Sequence, residues 1–505
     1  MADMNIPDSR NELLLIDEMY EADRLAIKGG VPGVELMENA GRTIAEAIKE
    51  RWSRRALLVL AGPGNNGGDG FVVARLLSED GWPVRIGLLG IRERLRGDAA
   101  IMADRWEAIG GRTETLSAGL LDGAELVVDA LFGAGLGRDL DGTAKTVVEA
   151  LAASVLPVVA VDVPSGVDGE SGVIRGAAAR ADLTVTFFRA KPGHWLYPGR
   201  GLIGDLMVTD IGIPETVLET LSPLTALNTP AAWKPRFPVP GPEDHKYTRG
   251  HVLVGVGRIM TGAARLAARA ARRAGAGLLT LAAPAGTEQV CQLDQAGAIV
   301  QPCDDAETFV RLLSDNRRNA VLLGPGLGIG PNTRADVSAA LSCPDKTLLL
   351  DADALSAYEG STHQSEKEAF LARVKGHGKV ILTPHDGEFA RLFGDLPGSR
   401  LARARQAARL SGAVVILKGA DSVIAEPGGR ALINHNAPAW LATGGSGDTL
   451  AGLVIGLAAQ GMPPFEAAAA GVWLLSETAR NIGPGLIAED LADRLPPVLN
   501  KLIGP

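Results

Sequence analysis

A glycine-rich segment near the carboxyl end of the chain surrounds one carboxylate. Residues 440–452 have the sequence Trp-Leu-Ala-Thr-Gly-Gly-Ser-Gly-Asp-Thr-Leu-Ala-Gly, and the apolar residues beyond them predict a helix over 449–460. Glycine lets the backbone approach a ligand closely, and the unpaired N–H groups at a helix N-terminus attract phosphate. A carboxylate would repel that phosphate, so Asp448 is either the N-cap of the helix or a base that accepts a proton beside a transferring phosphoryl group. This segment alone supports both interpretations equally.

A second polar, glycine-rich segment lies in the first half of the chain. Residues 61–70 have the sequence Ala-Gly-Pro-Gly-Asn-Asn-Gly-Gly-Asp-Gly, and we expect a turn over 62–70 between a strand and a helix. The segment is neither a dinucleotide-binding GxGxxG pattern nor a Walker motif. Two Asn side chains and one Asp suit a polar ligand, or a weakly hydrated cation bound by oxygen atoms. A tight turn capped by Asn or Asp explains one of these residues but not all of them.

Two further carboxylates follow apolar runs that predict buried strands. Asp129 comes after Leu-Val-Val, and Asp162 comes after Val-Val-Ala-Val. A second glycine-rich stretch, 133–139, is another candidate for phosphate binding. Buried carboxylates are unfavourable unless they are paired, hydrogen-bonded or functional. Because parallel strands end at one edge of a sheet, these groups predict a site at that edge.

These three segments resemble the NAD(P)H-hydrate epimerase family, in the stretches Asn-Asn-Gly-Gly-Asp (65–69), Val-Asp-Ala-Leu-Phe-Gly (128–133) and Val-Asp-Val-Pro-Ser-Gly (161–166). The resemblance implies a Rossmann-like domain that interconverts the C6 epimers of hydrated nicotinamide cofactors beside a potassium ion. It implies ion ligands at Asn66, Asp129 and Ser165. It implies substrate contacts at Asn65, Asn66, Gly67, Gly68, Asp69, Gly133, Ala134, Gly135, Leu136, Gly137, Arg138, Asp139 and Asp162. Asp162 is the candidate acid/base, by its position only. Lys191 either contacts a phosphate or is a solvated loop lysine.

The second half resembles the nucleotide-dependent NAD(P)H-hydrate dehydratases of the ribokinase-like superfamily. The resemblance rests on 255–264, 324–328, 382–389 (Leu-Thr-Pro-His-Asp-Gly-Glu-Phe), 417–422 and 444–448. It implies substrate contacts at Ala263, Gly326, His385 and Asp448, and nucleotide contacts at Lys418, Gly419, Ala420, Asp421, Ser422 and Gly447. The family usually has another glycine where Val256 stands. Asp351 and Asp353 either orient polar groups or cap a helix.

The combined resemblance implies a bifunctional repair enzyme for NADHX and NADPHX. The first domain would epimerise the R and S forms, and the second would dehydrate the S form with Mg²⁺ and ADP, giving AMP and phosphate. Asp448 would be the catalytic base. The phosphate-binding segments would contact groups that are common to ADP and ATP. The sequence therefore does not distinguish ADP from ATP as the phosphoryl donor. One alternative is a small-molecule kinase with a non-catalytic N-terminal binding module. Another makes the first domain a scaffold.

The elements that position these residues predict two α/β domains. We expect a Rossmann-like three-layer α/β/α domain over 1–218, a proline-rich connection over 219–245 and a ribokinase-like domain over 246–505. Short apolar runs predict parallel strands at 56–60, 84–89, 126–130, 157–161 and 183–187, and at 251–255, 278–282, 320–323, 347–350, 379–382 and 413–417.

Composition limits the partners. The 505 residues carry a net charge of -9, which argues against nucleic acid and acidic membranes as partners. The three cysteines have no metal-ligand or disulfide pattern, and no apolar stretch is long enough to span a membrane. We expect a cytoplasmic homo-oligomer that acts on small molecules.

Overall fold

The computed structural model describes residues 11–358 and 364–504. The chain forms two compact units that meet in sequence between Ala226 and Leu227. That boundary falls within the predicted connection of 219–245.

The first unit is built on a sheet of seven parallel strands in the order β3-β2-β1-β4-β5-β6-β7. The strands are β1 (Leu57–Ala61), β2 (Val84–Leu88), β3 (Thr113–Thr115), β4 (Leu126–Ala130), β5 (Val158–Val161), β6 (Leu183–Phe187) and β7 (Asp205–Thr209). The strand order reverses between β1 and β4. Open α/β sheets bind ligands at such a switch point, beyond the carboxyl ends of the strands.

Helices cover both faces of this sheet. They are α1 (Ile16–Lys28), α2 (Gly33–Arg51), α3 (Asn65–Glu79), α4 (Gly97–Ala108), α5 (Gly142–Ala153) and α6 (Val217–Leu221). Successive residues of β1 point to opposite faces: Val59 joins the core beneath α1 to α4, and Leu58 joins the core beneath α5. The unit therefore has three layers, with a separate apolar core on each face of the sheet.

The predicted turn over 62–70 is wrong in its second half, because α3 begins at Asn65. Its first residues are glycine-rich since they pack against neighbouring backbone. A Cβ atom on Gly67 would lie 1.9 Å from the carbonyl oxygen of Gly62. The residues expected in a loop thus form the first turns of a helix.

The second unit contains a ten-stranded sheet in the order β11-β10-β9-β12-β13-β14-β15-β16-β17-β8. The strands are β8 (Thr225–Leu227), β9 (His251–Gly255), β10 (Leu278–Ala283), β11 (Ile299–Pro302), β12 (Ala320–Leu323), β13 (Thr347–Leu350), β14 (Val380–Leu382), β15 (Val414–Leu417), β16 (Val423–Ala425) and β17 (Ala431–Ile433). Strands β9 to β15 pair in parallel, and β16 pairs antiparallel with β15 and β17. The strand order reverses between β9 and β12.

Twelve helices accompany that sheet within the described residues. They are α7 (Thr261–Arg273), α8 (Glu288–Asp294), α9 (Ala306–Leu313), α10 (Pro331–Ala340), α11 (Asp353–Ser356), α12 (Gln364–His377), α13 (Asp386–Phe393), α14 (Arg400–Ser411), α15 (Ser446–Ala459), α16 (Pro464–Ile482), α17 (Ala488–Asp493) and α18 (Leu495–Ile503). Helix α15 is buried from Thr449 to Ala459 because it is apolar on every side. In the part of the chain that the structure describes, no helix has the length and apolar character to cross a membrane.

Candidate functional site

A cavity of about 720 Å³ opens at the switch point of the first unit. Among the predicted site residues, those that line it are Asn65, Asn66, Asp69, Gly133, Ala134, Gly135, Leu136, Gly137, Arg138 and Asp162. Gly67 and Gly68 are buried against Gly62 and Met37 instead, and Asp139 is exposed outside the cavity lining. The structure thus brings most of the predicted set together.

Asp162 is the most strongly coordinated carboxylate of this cavity. Its Oδ1 accepts hydrogen bonds from Lys191 Nζ and Thr186 Oγ1, each at 2.8 Å, and its Oδ2 accepts one from the Ala134 N–H at 2.8 Å. Burial raises the pKa of this carboxyl, but Lys191 outweighs burial and the pKa falls to about 2. Asp162 is therefore ionised throughout the physiological range.

Lys191 is not the solvated loop lysine that the sequence left open. Its side chain is 2% exposed, and its ammonium group contacts Asp162 and Thr186. This lysine is a buried counter-ion rather than a surface charge.

The backbone of Asp162 adopts a left-handed conformation, with φ of 66°. A hydrogen bond from His194 to the Asp162 carbonyl stabilises this conformation. The Lys191 N–H donates to His194 Nδ1 at 2.9 Å, so Nε2 carries the ring proton and donates it to the Asp162 carbonyl at 2.8 Å. Burial and then Lys191 lower the pKa of His194 to about 4, which keeps the ring neutral. Non-glycine residues in this conformation are concentrated at functional sites.

A second carboxylate, Asp129, is completely buried beside the cavity. Its oxygens accept the Ser165 hydroxyl at 2.6 Å and the Ser165 N–H at 2.8 Å. Ser165 Oγ also lies 3.3 Å from the Phe132 carbonyl oxygen. No lysine or arginine in the described residues pairs with Asp129, and burial raises the pKa of its carboxyl. Nearby, the buried Asn66 Nδ2 has no hydrogen-bond partner in the described part of the chain.

Helix α1 supplies two cavity residues that sequence reasoning missed, Tyr20 and Asp23. The Tyr20 hydroxyl lies so close to Gly135 that a Cβ there would be 2.0 Å away. Burial raises the pKa of Asp23 to about 6, with Lys191 opposing and Asp162 adding to the shift. The available signal was a carboxylate next to Ala22 on the buried side of an amphipathic helix.

In the second unit, Asp448 lies at the third position of α15. The helix begins at Ser446, earlier than the predicted 449, and its N-cap is Gly445. Asp448 is therefore not the N-cap, which removes one of the two sequence interpretations. In the described chain its carboxylate accepts no hydrogen bond. Burial, with Asp351 adding to it, raises the pKa of Asp448 to about 6.

Lys418 stands in front of this helix terminus. Its Nζ lies 2.7 Å from Asp351 Oδ1, 3.8 Å from Glu388 Oε2, and 3.6 Å from where a Gly447 Cβ would be. Burial lowers the pKa of Lys418, but the carboxylates of Asp351 and Glu388 outweigh burial and raise it. Asp351 thus orients a cation, which was one of the two roles that the sequence left open for it.

His385 caps helix α13. Its Nδ1 accepts the Gly387 N–H at 2.9 Å and the Glu388 N–H at 3.3 Å, while its side chain remains 52% exposed. Because Nδ1 is an acceptor, the proton of the neutral ring lies on Nε2. The cap therefore fixes which ring nitrogen can donate to a ligand.

Residues 419–422 form a tight turn after β15. The Gly419 N–H donates to Ser422 Oγ at 3.0 Å, and Ser422 Oγ donates to the Gly419 carbonyl at 2.8 Å. Arg400 contacts Asp421 at 3.3 Å from outside the turn, and Ala420 is exposed at its tip. The turn is thereby held in one shape beside Lys418.

A separate cavity of about 450 Å³ lies at the switch point of this unit and includes Gly326 and Asp353. The loops after β9 and β12 meet closely: a Cβ on Gly257 would lie 1.6 Å from the Gly326 carbonyl oxygen. Ala263 abuts Gly326, with 3.3 Å between its Cβ and the position of a Gly326 Cβ. Val256, where a glycine is usual, is buried. Asp353 accepts the Gly328 N–H at 2.8 Å and so braces this loop.

Known proteins match both units. A family model for the N-terminus of YjeF-related proteins matches residues 33–193, and one described as NAD(P)H-hydrate dehydratase matches residues 251–496. The bifunctional NAD(P)H-hydrate repair enzymes of Moorella thermoacetica and Salinibacter ruber are 37% and 34% identical, each over 97% of both chains. Among solved structures, an ADP/ATP-dependent NAD(P)H-hydrate dehydratase from Bacillus subtilis, co-crystallised with ATP and Mg²⁺, is 29% identical; the match covers 55% of this chain and 98% of that one, with a TM-score of 0.48.

Proposed function

Because the chain belongs to the family of bifunctional NAD(P)H-hydrate repair enzymes, we propose that it performs both repair reactions. The first unit interconverts the R and S epimers of NADHX and NADPHX. The second unit dehydrates the S epimer, with ADP as the phosphoryl donor. The observation that carries the proposal is Asp448, a half-buried carboxylate without a hydrogen bond in the described chain, at the phosphate-binding end of α15.

In the dehydratase reaction, Asp448 accepts the proton of the substrate's C6 hydroxyl as that oxygen attacks the terminal phosphorus of ADP. The N–H groups at the start of α15 and the Lys418 ammonium face the phosphoryl group and stabilise its charge. AMP departs, and the substrate becomes a C6 phosphate ester. Asp351 holds Lys418 in place without joining the reaction.

The ester then eliminates phosphate. The lone pair of the ring nitrogen forms the N1=C6 bond while the C6–O bond breaks, and loss of a C5 proton gives NAD(P)H. We assign His385 to the substrate: its side chain is half exposed, and its Nε2–H, 3.4 Å from Glu388 Oε1, is the one ring donor that could turn to a ligand.

In the epimerase reaction the ring nitrogen expels the C6 hydroxyl group and leaves a planar, cationic iminium ion. Water then returns to the opposite face. Asp162 stays ionised because of Lys191, so its role is to stabilise this cation. This modifies the acid/base role that its position alone suggested.

A potassium ion fits the environment of Asp129. The carboxylate is buried without a counter-cation in the described residues, and the Ser165 hydroxyl, the Phe132 carbonyl and the Asn66 amide add neutral oxygen atoms. A weakly hydrated monovalent cation prefers such ligands. The ion would supply the positive charge that keeps Asp129 ionised, and it would hold the loop after β4 next to Ser165.

Magnesium fits the second unit through the nucleotide rather than through a protein cage. In the described residues, no group of three His, Cys, Asp or Glu side chains could hold a metal ion. Mg²⁺ commonly binds substrate phosphates with one or two carboxylates, and Asp351 and Glu388 lie at this edge. When bound, the ion would neutralise charge on the transferring phosphoryl group.

Chemically hydrated NADH tests the proposed activities. The protein is mixed with both epimers and Mg²⁺, with ADP or ATP in parallel, and NADH is followed by its absorbance. Conversion of both epimers to NADH with ADP supports the bifunctional enzyme. Faster formation of NADH with ATP would make ATP the phosphoryl donor. Conversion of only one epimer to NADH would contradict the epimerase activity, and the absence of any NADH would contradict the dehydratase activity.

The ion is tested by its effect on stability as well as on turnover. We expect K⁺, compared with Li⁺ at the same ionic strength, to raise the unfolding temperature of the protein. Asp129→Asn should lose that K⁺-dependent difference. An equal response of both proteins to K⁺ would place the ion elsewhere.

A further inference from the structure

Helix α1 contributes the carboxyl group of Asp23 to the cavity of the first unit. Asp23 lines this cavity with Asp69, Asp162 and Lys191. Asp162 is held by three hydrogen bonds, whereas the Asp23 carboxyl has none in the described part of the chain. One carboxylate is thus fixed, and the other is free to contact a ligand.

We propose that Asp23 is the catalytic proton donor and acceptor of the epimerisation. The inference rests on the proposed epimerase activity. It assigns to α1, which lies before the segment of residues 33–193 matched by the family model, a direct part in the reaction.

The reaction needs such a group, because hydroxide is a poor leaving group. Asp23 gives its proton to the C6 hydroxyl, the C6–O bond breaks, and water departs with the bonding electron pair. The nitrogen lone pair forms the N1=C6 bond at the same time. Water then forms a new C6–O bond on the opposite face, the N1=C6 electrons return to nitrogen, and the proton released by that water restores the Asp23 carboxyl. No atom or charge is left over.

The neighbouring carboxyl groups are less suited to this transfer. Asp162 already accepts hydrogen bonds from Lys191 and Thr186, and its low pKa makes it a weak base. Asp69 is almost fully buried, and burial, Asp162 and Asp23 raise its pKa well above the ordinary value, so it gives up a proton less readily than an exposed carboxyl group. The pKa of Asp23, about 6, lies near neutrality, and its carboxyl group accepts no hydrogen bond in the described residues. General acid–base groups are most effective when their pKa is near the working pH.

The charged and titratable groups around the cavity are few, and they set the pH dependence. They are Tyr20, Asp69, Asp98, Arg138, Asp162 and Lys191. Because a proton donor must be protonated, kcat/KM for epimerisation should fall as pH rises through about 6.

The test compares Asp23→Asn with Asp17→Asn, a matched change at an exposed position of the same helix. Epimer interconversion is followed by chromatography without nucleotide. We expect Asp23→Asn to lose about a hundredfold or more in rate, and Asp17→Asn to keep the wild-type rate. Thermal unfolding of each variant reports whether the first unit is folded, and ADP-dependent dehydration of the S epimer reports the same for the second unit. Asp23→Glu should recover part of the rate and show a pH-dependent decline whose midpoint differs from that of the wild type, whereas Asp23→Asn should show no such decline.

A wild-type rate in Asp23→Asn would overturn the inference. So would an unchanged pH profile, which would assign the proton transfer to another group. If the wild-type protein itself fails to interconvert the epimers, the proposed epimerase activity is wrong, a result distinct from either of these. Should Asp23→Asn fail to fold, an Asp23→Glu variant with an unshifted pH profile would contradict the proposal.

Discussion

The two carboxylates that we propose to take part in the reactions, Asp162 and Asp448, lie in opposite electrostatic surroundings. Asp162 contacts a buried lysine directly, and its pKa falls to about 2. Near Asp448, Lys418 is already paired with Asp351. Burial therefore has the larger effect on Asp448 and raises its pKa to about 6. The same side chain is thus suited to stabilise a cation in one site and to accept a proton in the other.

Replacing Asp448 should abolish proton acceptance while leaving the phosphate site intact. We expect Asp448→Asn to reduce the dehydratase kcat by about a hundredfold or more and to bind ADP normally, as measured by calorimetry. In the wild type, kcat should rise with pH through about 6, because the base must be ionised. Asp345→Asn, at an exposed position of the same unit, is the control. Near-normal turnover in Asp448→Asn would exclude the base role.

The same substitution should alter stability with a defined sign. The pKa of Asp448 is 3.8 in a model compound and about 6 in the fold, so the folded state binds the proton more tightly. This group therefore lowers the free energy of unfolding as pH rises from about 4 to about 6. Asp448→Asn should be more stable than the wild type at pH 7 and equal to it near pH 3, as measured by thermal unfolding. An equal difference at both values would contradict the assigned shift.

Lys191 should matter for stability as well as for epimerisation. Lys191→Met leaves the Asp162 carboxylate buried without its cation, and losing one partner of a buried pair typically costs about 3–5 kcal/mol. Lys49→Met, which breaks an ion pair exposed on both sides, should cost under about 1 kcal/mol. Denaturant unfolding of the two variants measures the contrast. Similar costs would mean that Lys191 is not the counter-ion described.

At the scale of elements, two of the glycine-rich segments extend into helices. Helix α3 begins at Asn65 and α15 at Ser446, each earlier than the sequence pattern indicated. Glycines in helices α3 and α15 permit close packing, as Gly67 does against Gly62 and Gly452 does against α7. Consecutive glycines are typical of a turn, and the sequence alone does not show the backbone against which each one packs, Gly62 for Gly67 and Ala267 for Gly452.

Gly67→Ala tests the approach of α3 to the loop after β1. The added Cβ would lie 1.9 Å from a backbone oxygen that cannot move away cheaply, and such overpacking costs about 3 kcal/mol. Gly64→Ala, with nothing within 4 Å of its Cβ, should cost less than about 1 kcal/mol. The free energies of unfolding of the two variants measure this difference. A Gly67→Ala variant as stable as the wild type would show that α3 does not pack tightly against the loop after β1.

Gly452→Ala tests the packing of α15 against α7. The new Cβ would lie 2.2 Å from the Ala267 carbonyl oxygen, for an expected loss of about 1–3 kcal/mol. Gly262→Ala, in open space at the first turn of α7, should instead stabilise the protein by up to about 1 kcal/mol. We therefore expect the two substitutions to change the unfolding temperature in opposite directions, as measured by thermal unfolding.

For the molecule as a whole, the two sites belong to different units, so their chemistry should be separable. Asp448→Asn should end ADP-dependent recovery of NADH while the epimers continue to interconvert. Lys191→Met should slow interconversion and leave dehydration of the S epimer unchanged. Both are measured on one preparation by chromatography and absorbance. Loss of both activities in either variant would argue against two independent sites. The expected homo-oligomer stays a prediction, which light scattering would check.

The sequence by itself determined the family, the two α/β folds and ten of the residues that line the first cavity. The predicted Rossmann-like and ribokinase-like domains and the repair-enzyme family are confirmed. These succeed because continuous apolar runs and ordered motifs are local features of the chain. The six strands not predicted, such as β3 and β11, are short or only partly buried and lack such runs, or form the small hairpin of β16 and β17.

Only the tertiary structure decided how each carboxyl group behaves. Nothing local to Asp162 indicates that Lys191, in a later loop, is its buried partner. The pattern of α1 places Asp23 next to the buried side of the helix, but it does not indicate that Asp23 faces the same cavity as Asn65 and Asp69. A pKa depends on burial and on charges a few ångströms away, and those distances are set by the folding of the chain rather than by the order of its residues.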